Sequence, residues 1–379
     1  MKIGTFEFNL RELSGSLGDL GTFIPLAVGY ISICKLNPAG LLIMMGLSNI
    51  ATGLVYRLPM PIQPMKVLAV MAIAQAWPPS LVCASAFAMG LVWMIFSLTN
   101  VMGIIARITP LSVVRGIQTA LGVLLALQAL PMLKTSWVLV AVSLAIIVAL
   151  RRSRYAPAAV VLMALGIAIM FVQGRFSQVA FSGLTLPSLT LFRPGEVWDS
   201  LVRGGFAQIP LTATNAVIAT TALIMRYWPE RSVSERKLSL STGIMNLVSP
   251  FFGGMPMCHG AGGLAGQYYF GARTGGTNII EGAIEISLGL FLAGSIVSLF
   301  LAFPGAIIGA MMLLVGLELV GFAVELKVDR ELIPLAVTVA VALISNMAIG
   351  FLSGMGMHYL LDRTMRTKIP QDHDTGAGQ

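Results

Sequence analysis

Apolar runs of membrane-spanning length recur from one end of this chain to the other, and they leave few ways for it to fold. Ala39–Val55, Leu81–Ile105, Trp137–Leu150, Ala156–Val172 and Ile279–Phe303 are examples. A span needs roughly 20 predominantly apolar residues. In lipid each backbone polar group must find its partner within the protein, which such runs achieve as helices. Charged residues make up only 11% of the 379, where a soluble domain carries about 25%. The 40 glycines and 19 prolines lie among the spans rather than in linkers, a pattern of close helix packing and deliberate helix breaks. The chain therefore reads as an all-α polytopic membrane protein.

Helices are expected near 16–33, 38–56, 64–76 (short), 80–105, 110–129, 135–151 and 156–173. A second set is expected near 205–225, 236–252, 260–271 (short), 278–301, 305–323, 331–346 and 348–361. The count is seven plus seven. The divisions that follow are 1–173, a first repeat; 174–203, an extracytoplasmic connecting segment; 204–361, a second repeat; and 362–379, a polar cytoplasmic tail. With the N-terminus inside, eighteen of the 24 basic residues fall on the cytoplasmic side and five outside, with Lys66 in the membrane. That asymmetry obeys the positive-inside rule, places both termini in the cytoplasm and makes a cell-membrane location the expectation. It also accounts for the net charge of +8 better than a nucleic-acid-binding face would. Met1–Leu13 shows no apolar stretch followed by a cleavage site, so no cleavable signal peptide is expected. Cys34, Cys83 and Cys258 lack metal-ligand spacing and read as small packing residues. No metal, cofactor or catalytic residue is expected.

The halves resemble each other at a fixed offset of 197 residues. Gly46-Leu-Ser-Asn49 precedes Pro59-Met60 by the spacing with which Gly243-Ile-Met-Asn246 precedes Pro256-Met257. Seven segments separate the copies, an odd number, so the repeat is inverted across the membrane. Inverted repeats with broken helices characterise secondary transporters, whose substrates bind near the midplane.

The breaks are explicit. Pro59, Pro61 and Pro64 remove backbone donors and favour extended geometry, after which Met65–Gln75 reads as a half-helix. Its first-turn N–H groups and positive dipole end suit an anion. Lys66 adds a charge there and Gln63 a neutral donor. The alternative is a snorkelling or structurally paired lysine. In the matching stretch, Gly253 to Gly263, glycines replace the prolines. Gly260 permits close approach of a ligand to the backbone, and His259 reads as an anion donor, a proton carrier or a helix-packing group. Asp19 lies in the first span as a partner for Lys66, a carrier of the coupling proton or a helix cap. In the equivalent later span, Gln208, Thr212, Thr214 and Asn215 are uncharged donors for an oxyanion or polar packing groups. Glu281 and Glu285, one turn apart at the start of a later span, are expected to face the cytoplasmic surface.

Taken together, Gly18 to Leu26 (Thr22 included), Asn49 with Thr52-Gly53, Pro59 to Lys66, Gln208 to Asn215 and Pro256 to Gly260 resemble the molybdate transporter family, a relative of the SulP sulfate permeases. The resemblance covers nearly the whole chain. It implies the seven-plus-seven architecture shared with uracil permease, with two half-helices meeting near the midplane, and oxyanion uptake by an elevator-like movement. The expected partners are molybdate or sulfate, protons, the lipid bilayer and, as a homodimer, a second copy; nucleic acid is not among them. The sequence read carries no STAS domain, which favours the molybdate branch. Molybdate and sulfate are both tetrahedral dianions and use the same donors, so the residues alone leave sulfate open. A nucleobase permease would be expected to place carboxylates where Gln208 to Asn215 and His259 stand. An anion channel would need a continuous polar pore, and a hydrolase a nucleophile with a partnered base.

Overall fold

The computed structural model describes residues 2–16, 20–99, 101, 104, 108–150, 158–175, 183–321 and 331–366. In chain order the elements are a small hairpin (β1 Lys2–Ile3, β2 Phe6–Glu7), then α1 Leu10–Ser16, α2 Leu20–Ser32, α3 Pro38–Tyr56, β3 Gln63–Pro64, α4 Lys66–Ala74, α5 Pro79–Thr99, α6 Leu111–Leu133, α7 Trp137–Leu150 and α8 Ala158–Val172. The second half supplies α9 Pro194–Tyr227, α10 Glu235–Val248, β4 Met257–Cys258, α11 Ala261–Phe270, α12 Gly276–Ala302, α13 Gly305–Gly321, α14 Leu332–Ile344 and α15 Met347–Arg366. Five described helices are long and apolar enough to cross a membrane: α3, α5, α6, α9 and, through Gly276–Ile296, α12. The outward faces are apolar, as lipid requires: Val138 is 73% exposed, Phe171 74% and Ile344 86%. The expected seven plus seven helices are all present, two of them as half-helices. One rise begins earlier than its pattern suggests, since α9 starts at Pro194 rather than near 205.

The ends of the elements follow from local chemistry. Asn37 caps α3 by accepting from the Ala39 N–H at 2.9 Å, and Pro38 occupies the first turn, where its missing donor costs nothing. Ser234 caps α10 by accepting from the Lys237 N–H. Left-handed residues close both copies of the broken unit. Arg57 (φ 56°) ends α3 and Gly253 (φ 76°) ends the turn after α10; Ala76 (φ 48°) follows α4 and Gly271 (φ 119°) follows α11.

Packing is symmetric under the repeat. α3 lies along α12, and its equivalent α10 lies along α5. Glycines set the first of these distances. A Cβ on Gly46 would lie 2.6 Å from the Gly282 carbonyl oxygen, and one on Gly53 2.7 Å from that of Gly275. Such small-residue contacts let helix backbones approach in lipid. α6 and α13, equivalent to each other, pack together, with α14 and α15 against α6. Glu12 on α1 is buried and caps the approach to α12, accepting from the Arg273 and Thr274 N–H groups and the Thr277 hydroxyl.

Glu281 and Glu285 correct one expectation. Each is only 3% exposed and neither faces the surface. Glu281 accepts from Gln267 at 3.0 Å and Glu285 from Asn49 at 2.9 Å. The reason is that α3 packs along this part of α12 and Gln267 of α11 reaches Glu281.

Candidate functional site

Two extended segments cross in the middle of the molecule. The prolines of the first and the glycines of the second keep both out of helix, and β3 pairs antiparallel with β4, Gln63 opposite Cys258 and Pro64 opposite Met257. The Met65 N–H continues the pairing onto the Pro256 carbonyl at 2.9 Å. Exchanging each position for its repeat equivalent, 197 residues away, turns the Gln63–Cys258 pair into Pro61–Gly260, which is in the same register. The pseudo-two-fold axis thus passes through the crossing, beside Ile62 and His259. The proline segment was expected to be extended, the glycine segment to allow close approach, and the half-helices to meet; the strand pairing between the two segments was not expected.

α4 and α11 start directly after the crossing. Gln63, Lys66, Gln208, Thr212, Asn215 and His259 all line one small cavity of about 10 Å³, together with Pro64, Leu211, Ala216 and Cys258. Six of the anticipated residues thus meet in one place. Gly260 adjoins it, since a Cβ there would press on the Gln63 carboxamide oxygen. Asp19 and the side chain of Thr22 lie outside the described residues. Among the described lining residues none is acidic and Lys66 is the only cation. Among the described residues no carboxylate lies within ion-pair distance of Lys66.

Hydrogen bonds divide the lining residues by task. Gln208 accepts from the Val67 N–H at 2.8 Å and donates to the Thr212 hydroxyl oxygen at 2.6 Å. It therefore caps α4, so one first-turn donor that had been assigned to the anion is already satisfied. The other first-turn N–H groups have no partner within the helix. Thr212, accepting from Gln208, keeps its own proton to donate. Asn215 lies in the π-type stretch Thr212–Ile218 of α9, which follows Pro210, and its carboxamide makes no bond among the described residues. Such widened turns recur at functional sites.

His259 is fully buried. Its Nδ1 lies 3.3 Å from the Pro61 carbonyl oxygen and its Nε2 2.7 Å from the Ser241 hydroxyl. A carbonyl only accepts, so Nδ1 carries the proton, and in the neutral ring Nε2 accepts from Ser241. Ser241 in turn meets the Tyr56 hydroxyl at 2.8 Å. The imidazole thus ties the second segment to the first and to α10. Ser241, Asn246 and Asn278, which hold the crossing together, were not singled out from the sequence as site residues. Asn246 had stood out only as a repeat marker.

A family described as "Molybdate transporter of MFS superfamily" matches residues 11–125 and 200–319. Molybdate transporter 1 of Arabidopsis thaliana is 31% identical over 407 aligned residues, covering 94% of this chain and 89% of its own. Among solved structures, the transmembrane domain of the cyanobacterial bicarbonate transporter BicA superposes with a TM-score of 0.65 at 16% identity, covering 91% of this chain and 97% of that one. The murine solute carrier 26 family member A9 anion transporter, in its inward-facing state, gives 0.73 at 15% identity, covering 96% and 70%. The fold is therefore the seven-plus-seven inverted repeat of these transporters. The major facilitator arrangement named in the family description relates its two halves by an axis along the membrane normal, unlike the crossing seen here.

Proposed function

This chain belongs to the molybdate transporter family, and from that premise we propose that it imports a tetrahedral oxyanion, molybdate first and sulfate second. It is a multi-pass anion transporter, and the proposal concerns its substrate, coupling and movement. The observation that carries the substrate assignment is the cavity at the crossing, lined by one cation and neutral donors and by no acid among its described residues. In this reading Lys66, Gln63, Thr212 and Asn215 hold the oxygens, with the first-turn N–H groups of α4 and α11. Gln208 and His259 shape the walls, Gly260 gives room, and Thr22 adds a donor from α2. A dianion in low dielectric is costly unless paired and hydrogen-bonded; this set supplies both.

Import of a dianion against an inside-negative potential costs about 2.3 kcal/mol per charge at 100 mV. Proton cotransport would offset that cost, with Asp19 as the first candidate carrier and His259 the second. Elevator-like movement is supported by the packing. α3 packs along α12 and α5 along α10, the two pairs meeting at the turn 249–252, while α6 gathers α13, α14 and α15. In this reading both termini lie in the cytoplasm of a cell-membrane protein, and a homodimer is the expected assembly.

Calorimetric titration of purified protein tests the substrate. Molybdate and tungstate are expected to bind in the micromolar range, sulfate more weakly, and uracil not at all. Tight uracil binding without any oxyanion response would sink the proposal, and sulfate binding tighter than molybdate would reverse its order.

A further inference from the structure

We infer that Asn278 is a positioning residue of the cavity: through the backbone of Met60 it fixes the segment that carries Gln63 and Lys66. The inference rests on the oxyanion reading of that cavity. Extended backbone at membrane depth lacks the internal hydrogen bonds of a helix, so its N–H and C=O groups need partners from elsewhere in the protein. A carboxamide offers a donor and an acceptor side by side, as a neighbouring strand does. Asn278 uses both on one residue. It accepts from the Met60 N–H at 2.8 Å and donates to the Met60 carbonyl at 2.7 Å. Asn246 does the same to Met257, accepting at 2.8 Å from its N–H and donating to its carbonyl. Met60 and Met257 are equivalent positions of the repeat.

The two asparagines are not equivalent, and this assigns the role to Asn278. The equivalent of Asn246 is Asn49, whose carboxamide is bonded elsewhere. It accepts from Asn278 at 2.9 Å and donates to Glu285 at 2.9 Å. The clamp on the first segment therefore comes from α12, in the other half of the chain, and Asn49 and Glu285 brace it. Asn278 and Asn49 are both fully buried, and both Asn278 amide protons have acceptors. Gln63 lies three residues beyond Met60, so loosening Met60 displaces the start of α4 and with it the cavity.

Two readouts test this on reconstituted full-length protein. The first is KM and Vmax of molybdate uptake for the parent, Asn278→Ala and Asn246→Ala. The second is the rate at which Cys258, paired with Gln63 across the crossing, reacts with a small methanethiosulfonate when Cys34 and Cys83 are serine. Each alanine variant is expected to raise KM by about tenfold, the size of one lost charge-neutral hydrogen-bonding contact in affinity, with Vmax little changed and Cys258 reacting faster. If Asn278→Ala does not fold, Asn278→Ser keeps one neutral hydroxyl in place of the carboxamide, and smaller shifts in the same direction are expected. Unchanged KM and unchanged Cys258 reactivity overturn the inference, as does a loss of Vmax alone. A parent protein that takes up no molybdate refutes the oxyanion reading instead, and the Cys258 rate still judges the clamp.

Discussion

Lys66 lies in the first turn of a helix that starts deep in the molecule, with no carboxylate among the described residues close enough to neutralise it. A charge-assisted contact is worth about 1.5–3 kcal/mol, or roughly ten- to a hundredfold in affinity. Lys66→Gln is therefore expected to weaken molybdate binding by that factor while the protein stays monodisperse on a sizing column. Undiminished binding would make Lys66 a structural lysine. Gly260 tests the same cavity by volume. Its backbone is extended (φ −155°), which any residue adopts, so a side chain there acts by collision with the buried Gln63 carboxamide. Gly260→Val should weaken binding without altering charge; titration at matched protein stability checks it. These residues could be found in the sequence because proline and glycine forbid a regular helix at a recognisable place. Asn278 could not. A single Asn in an apolar helix looks like ordinary polar packing, and its partner Met60 is 218 positions away. The capping role of Gln208 was hidden for the same reason, since Val67 is 141 positions distant.

At the scale of the element, the half-helices were the most legible units. Their extended leads are dictated by Pro59, Pro61 and Pro64 and by Gly253 and Gly254, and their short length follows from the spacing of the breaks. The surface placement of Glu281 and Glu285 failed because their environment depends on Gln267 of α11 and, from far along the chain, Asn49 of α3. Where α4 ends, Ala76 adopts φ 48° and is exposed, although only glycine takes left-handed angles without a penalty of about 1–2 kcal/mol. After α11 the left-handed residue is a glycine, Gly271. Ala76→Gly should therefore raise stability, by about 1 kcal/mol once the extra freedom of glycine in the unfolded chain is subtracted. A higher unfolding temperature in detergent is the expected observation, and a lower one would show that the strain is compensated locally.

For the whole molecule, the period and count of the apolar runs were enough to give the seven-plus-seven architecture, because lipid permits so few alternatives. The contacts between the halves were not legible, since they depend on packing between helices far apart in the chain. Coupling belongs to this scale. If a proton travels with the anion on Asp19, uptake by the parent should rise with an inward proton gradient, and Asp19→Asn should lose that rise. A mutant that keeps its full gradient stimulation removes Asp19 as the carrier. The crossing itself carries a consequence for symmetry. Gln63 and Gly260 occupy the same position in the two halves, and a side chain at 260 would press on the carboxamide at 63. The pseudo-symmetric halves therefore present unlike walls at the axis, one of side-chain amide and one of naked peptide, so a passenger held there meets a different chemistry from each half.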